Sequence, residues 1–186
     1  MAASEWFPGE GRNADEEEFL ARLPAQAVAL GLADVQPTAT HAHAWTDVPL
    51  VVCAMVPGMS DGDGDVALQV GWAAEEPAGP LFVGEWNGEH DYLIDGWDQV
   101  DIDVTGGEPT PGRMAELAFE WLVGQLRHPV VRLDWESIAG TPRSEWYLAD
   151  TGRRLWDDRF RPRRSPWRPW RQIEARPEPD RVTRLR

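Results

Sequence analysis

Between residues 40 and 104 apolar side chains recur mainly at every second position, a period that fits strands and not helices. Val66, Leu68, Val70 and Trp72 alternate with Ala67, Gln69, Gly71 and Ala73, which predicts a half-buried strand. Residues 40–45 alternate too and place His41, His43 and Trp45 on one side. Residues 50–56 are continuously apolar and suit a strand buried on both faces. Residues 57–65, rich in Pro, Gly, Ser and Asp, read as a turn, and residues 75–80 as a loop. Asn87-Gly88, flanked by the candidate strands 81–86 and 90–94, reads as a two-residue hairpin, because both turn positions favour positive φ. In residues 97–104, Val100, Ile102 and Val104 face inward and Gln99, Asp101 and Asp103 outward.

Two helices bracket this region. Asn13 caps the first, with Glu16 completing a capping box and the acids Asp15 to Glu18 favoured by the dipole at the helix start. Phe19, Leu23, Ala27 and Leu30 trace its apolar face, Gly31 suits the C-cap, and Pro24 predicts a kink or a second start. Thr110-Pro111 begins the second, whose stripe is Met114, Leu117, Ala118, Trp121, Leu122 and Gln125. His128-Pro129 ends it. Val131, Leu133 and Trp135 then alternate with charged residues, Gly140-Thr141-Pro142 reads as a turn, residues 144–150 as a last strand, and Gly152 as its close.

This order predicts an α+β fold: an antiparallel or mixed sheet of about six to eight short strands, two main helices on one face, and an extended C-terminal arm. A chain of 186 residues has room for one ordinary domain. The expected division is a flexible lead-in over residues 1–12, pinned at most by Trp6 and Phe7, a single acidic domain over 13–152, and the arm over 153–186.

Charge sets the arm apart. Residues 153–186 hold twelve arginines against five acids, a net of +7, whereas the preceding 152 residues hold six arginines and twenty-seven acids, a net of −21. The chain has no lysine, so arginine's planar fork is its only strong cation. Within the arm, Arg161, Arg163, Arg164, Trp167, Arg168, Trp170 and Arg171 are interleaved with Pro162, Pro166 and Pro169. That proline density precludes a regular helix and favours extended polyproline II, which lays indoles and guanidiniums along a groove at modest entropic cost.

Four partners fit the arm. An acidic protein surface, in the same chain, a second copy or another protein, offers carboxylates for arginine and cover for tryptophan. Nucleic acid offers phosphates and bases, but the acidic body repels the same polyanion. An anionic membrane is a third, since the Trp/Arg/Pro alternation resembles short Trp/Arg-rich membrane-active peptides. A proline-reading domain is the fourth: Arg163, Pro166 and Pro169 resemble the R-x-x-P-x-x-P ligands of SH3 domains. The alternative is a tail that only offsets the body's charge. The leading expectation is a non-enzymatic protein–protein adaptor without cofactor, in which the arm docks on an acidic surface within the chain or in a homo-oligomer. On that reading, removal of residues 153–186 leaves the body folded.

The acidic surface has its own candidates. Residues 23–112 contain fifteen acids and no Lys or Arg, and Asp91, Asp95, Asp98, Asp101 and Asp103 are densest within them. Gathered on one face they would attract a basic partner or mimic a nucleic acid; dispersed, they only keep the surface solvated.

Chemistry has fewer handles. His41, His43 and His90 are candidate metal ligands that, with nearby carboxylates, would make a metal-dependent enzyme. Asp61, Asp63 and Asp65 imitate a calcium loop, but an EF-hand starting at Asp61 needs glycine and glutamate where Val66 and Trp72 stand. No phosphate loop, nucleophile elbow or metalloprotease helix occurs. Cys53, the single cysteine, sits in an apolar run as an inert, buried thiol. With no apolar run of membrane-spanning length and no signal-peptide pattern at residues 1–9, the expected location is the cytoplasm.

Overall fold

A computed structural model describes residues 5–32, 35–44, 49–60, 65–73, 81–88, 100–102, 110–138, 141–157, 179 and 181–185. The chain divides into two compact units, residues 1–128 and 129–186. The class is α+β, with two helices in the first unit and, among the described residues, nine strands in two antiparallel sheets in place of the single sheet expected.

In the first unit α1 (Ala14–Leu30) starts where the cap predicts, with the Asn13 side chain accepting the Glu16 N–H. The reciprocal half differs from a capping box. The Glu16 carboxylate turns back one residue further, accepting the Arg12 backbone N–H at 2.6 Å and its guanidinium at 2.6 Å. This pairing lets a carboxylate only 3 % exposed sit at the helix start. Phe19, Leu20, Leu23 and Ala27 are buried, but Leu30 is 71 % exposed and lies off the apolar face assigned to it. Pro24 neither ends nor restarts the helix, which runs through it to a C-cap at Gly31, where φ is +70°.

The lead-in is more fixed than its composition suggests. Trp6 and Phe7 are buried, the Phe7 N–H donates to Thr40 Oγ1 at 2.8 Å, and Pro8 accepts the Ala42 N–H at 2.9 Å. Residues 7–9 thereby cover the outer edge of β1 (Thr40–His43), a position that otherwise leaves a strand open to aggregation.

The first sheet has the order β1-β2-β3-β4-β5, with β2 at Leu50–Ser60, β3 at Asp65–Ala73, β4 at Leu81–Gly88 and β5 at Val100–Asp101. Pro57 and Gly58, read as a turn, belong to β2, which carries a bulge between Met55 and Ser60 with φ of +80° at Gly58. Asn87 and Gly88 are strand residues opposite Ala67 and Val66, not a hairpin turn. The apolar pairs Trp72–Phe82 and Leu68–Trp86 hold this register and leave residues 74–80 as the β3–β4 connection. Residues 90–94 lie outside the described residues. β3 is buried on both faces, Gln69 included, and is not half-exposed.

One face, carrying Leu50, Val52, Leu68, Val70 and Trp72, receives the helices. Phe19 of α1 stacks on Trp72 with ring centroids 5.0 Å apart. α2 (Pro111–Leu126), capped by the Thr110 hydroxyl, buries Met114, Ala115, Ala118, Phe119, Leu122 and Leu126. Its half-buried Trp121 lies over Gly84, and Gln125 accepts the Trp86 indole N–H at 2.9 Å.

The second unit has the order β8-β7-β6-β9: β6 at Val130–Ile138, β7 at Thr141–Leu148, β8 at Arg154–Asp157 and β9 at Arg181–Arg184. Thr141 and Pro142, read as a turn, are in β7. Gly152, with φ of +70°, does not close the body but turns β7 into β8, its N–H bonded to the Leu148 carbonyl at 2.8 Å. Both outer strands come from the stretch expected to be an extended arm. The pull on β8 is electrostatic and apolar: Arg154 reaches the fully buried Glu145 at 3.9 Å, Tyr147 donates to the same carboxylate, and Leu155 is buried. β9 sets Val182 opposite Leu133.

A Cβ at Gly84 would fall 2.4 Å from the Trp121 ring, too close for any rotamer adjustment of so large a side chain. Gly84→Ala should cost about 1–3 kcal/mol in denaturant unfolding, and Trp121→Leu in the same chain should recover part of that loss.

Candidate functional site

The register of the first sheet assembles a group of polar side chains on the face away from the helices. His41 stands opposite Cys53, Cys53 opposite Gln69, and Gln69 opposite Glu85. Directly opposed residues share a face with Cβ atoms about 5 Å apart, so imidazole, thiol, carboxamide and carboxylate follow in file across four strands. His43 flanks the file, its ring centroid 4.7 Å from that of His41 in an edge-on arrangement.

Burial gives this row its chemical interest. Cys53 and Gln69 are fully buried and Glu85 is 4 % exposed, while both histidines are half-buried. Each member takes part in a hydrogen bond, ring, ion or electrostatic contact, as buried polar groups must. An imidazole beside a thiol can exchange a proton with it, and a carboxamide between thiol and carboxylate can donate to one and accept from the other. Val51, Ala67 and Val83, which flank the row on the same face, are buried as well.

Sequence reasoning found the two histidines and missed the rest. The signals available were a glutamine inside the apolar strand 66–73 and a glutamate inside the apolar run 81–86. Neither points to Cys53 until the strands are put in register.

The metal hypothesis gains one contact, that between His41 and His43. His90 lies outside the described residues, and among those described no group of three His, Cys, Asp or Glu side chains is placed to hold an ion. Of the acidic candidates, Asp101 is in β5 opposite Val83, whereas Asp91, Asp95, Asp98 and Asp103 lie outside the described residues.

The arm candidates Arg161, Arg163, Arg164, Trp167, Arg168, Trp170 and Arg171 also lie outside them, but the attachment of their segment is defined. Asp157 ends β8 opposite Glu145, Glu145 pairs with Leu133, and Leu133 pairs with Val182 of β9. Residues 158–180 therefore leave and re-enter one end of one sheet at points three strand spacings apart, roughly 14 Å. Two paired strands, β8 and β9, thus bracket the stretch in sequence.

A second polar cluster braces that sheet. Arg132 Nε donates to Asp134 at 2.6 Å and Nη2 to the Ser144 hydroxyl at 2.9 Å, while Ser144 donates to Asp134 at 2.7 Å. The Arg132 guanidinium also lies 5.2 Å from the centre of the buried Trp146 ring. Ser144 has a carboxylate and a guanidinium as these partners, so this is a clamp between β6 and β7.

No protein-family model, curated protein or solved structure matches this chain. No described helix is long and apolar enough to cross a membrane.

The burial of Cys53 can be checked chemically. In native buffer its reaction with an aromatic disulfide reagent should run at least about a hundredfold slower than in guanidinium chloride, because the thiol is reached only through opening of the sheet. A native rate close to the denatured one would place Cys53 at the surface.

Proposed function

We propose that this chain is a non-enzymatic binding protein that presents residues 158–180 as a doubly anchored Arg/Trp/Pro segment to an acidic protein surface. The observation that carries the reading is the pairing of both β8 and β9 into the sheet of the second unit, which fastens the most basic stretch of the chain at each end. Fastening restricts the segment before it meets a partner, so less conformational entropy is lost on docking. Arg161, Arg163, Arg164, Arg168 and Arg171 supply forks for carboxylates, and Trp167 and Trp170 supply the area that an interface centre needs. The acid-rich residues 61–103 of a second copy have the complementary charge, which makes a homo-oligomer one form of the same proposal.

Truncation is not the right test, because removal of residues 153–186 takes both outer strands and exposes the edges of β6 and β7. Replacing residues 159–178 by a Gly/Ser linker of equal length keeps the strands. The swapped chain should melt as the parent does, yet lose salt-sensitive retention on immobilised polyglutamate and any oligomer seen by light scattering. Parent and swapped chains identical in retention and size would end this reading. A gel shift of the parent by single-stranded DNA at low salt, with no polyglutamate retention, would turn it towards nucleic acid.

A second reading keeps metal-dependent chemistry at His41, His43 and His90, supported by the close approach of the first two rings. Purified protein free of transition metal by elemental analysis, and unable to take up zinc in titration, excludes it.

A further inference from the structure

Among the described residues β9 is an outer strand, with an unusual surface. Val182 is 60 % exposed, and Arg181 and Arg184 are exposed and, among the described residues, make no hydrogen bond or ion pair. An exposed valine between two unengaged guanidiniums gains little from its own sheet.

The backbone can be followed in the same way. The Leu185 N–H donates to the Val130 carbonyl at 2.9 Å, and in an antiparallel ladder the residues that exchange such bonds alternate with residues whose N–H and C=O point away. Thr183 and Arg181 therefore bond inward to Arg132 and Asp134, in the register observed. Val182 and Arg184 direct two donors and two acceptors outward. The strand offers a partner four backbone hydrogen bonds, an apolar contact and two charges.

We infer that the outer edge of β9 binds an extended acidic peptide by antiparallel strand addition. Its side chains dictate the spacing of the ligand. A partner running antiparallel meets Arg184, Thr183, Val182 and Arg181 in that order, so it carries an acid, any residue, an apolar residue and an acid. A second copy of β9 fits less well, because antiparallel pairing would bring arginines of both strands close together. The site is separate from residues 158–180, and it holds whether or not that segment binds acidic proteins.

A suitable probe exists in the chain's own sequence. Residues 95–103 contain the spacing twice, as Asp95-Gly96-Trp97-Asp98 and Asp98-Gln99-Val100-Asp101. A fluorescein-labelled peptide of residues 95–103 should raise its polarisation on titration with the full-length protein at low salt, and a peptide of equal composition with its acids clustered should bind more weakly. Val182→Pro removes an outward N–H and leaves the inward ladder intact, and Arg184→Glu reverses one charge without touching the backbone. Each should weaken binding roughly tenfold or more. Arg184→Glu keeps the test standing if the proline variant melts early. The chain with residues 159–178 replaced should still bind, which separates this edge from the anchored segment. Absence of binding at low salt, affinity unchanged in Arg184→Glu, or affinity lost only in the linker chain would each overturn the assignment.

Discussion

The register between β2 and β3 is the constraint on which the first unit rests. It places Leu50, Val52, Leu68, Val70 and Trp72 on the face that takes the helices, and Val51, Cys53, Ala67 and Gln69 on the other. A slip of one residue exchanges the two sets. Phe19 would lose Trp72 as its stacking partner, and a carboxamide would be driven beneath α1 and α2. The penalty for burying that amide without its partners is of the order of a few kcal/mol, so the polar row is also a device that admits one register.

Much of the first unit is legible from local chemistry. Asn13, Gly31, Thr110 and Pro111 mark helix ends because caps satisfy backbone groups within a few residues, and neighbours further off hardly alter that need. Period-two segments likewise announce β3 and β6. The failures are long-range. Asn87-Gly88 has the chemistry of a hairpin turn, but aromatic pairs across β3 and β4 outweigh a local preference worth about 1 kcal/mol. Leu30 continues a helical stripe on paper, yet it remains exposed while Ala27 in the same turn is buried.

The division at residue 128 and the fate of the basic stretch were hidden for a related reason. Arg154 looks like a solvent-facing charge when counted by composition. Glu145, three-quarters of the way along the chain, is what makes Arg154 a sheet residue, because a carboxylate excluded from water needs a donor close by. The same holds for the candidate site. His41 and His43 are conspicuous by residue type, whereas Cys53, Gln69 and Glu85 acquire meaning only through pairing that joins positions forty-four residues apart.

The pairing of β9 with β6 has a consequence for how the molecule is made. Val131 meets Arg184, fifty-three residues later, so β6 has β7 close at hand in sequence, whereas its other edge is filled only when a loop of that length closes. Closing so long a loop is slow relative to forming a hairpin. Until that loop closes, one side of β6 would lack its partner, and an unpaired strand edge is open to pairing with another chain.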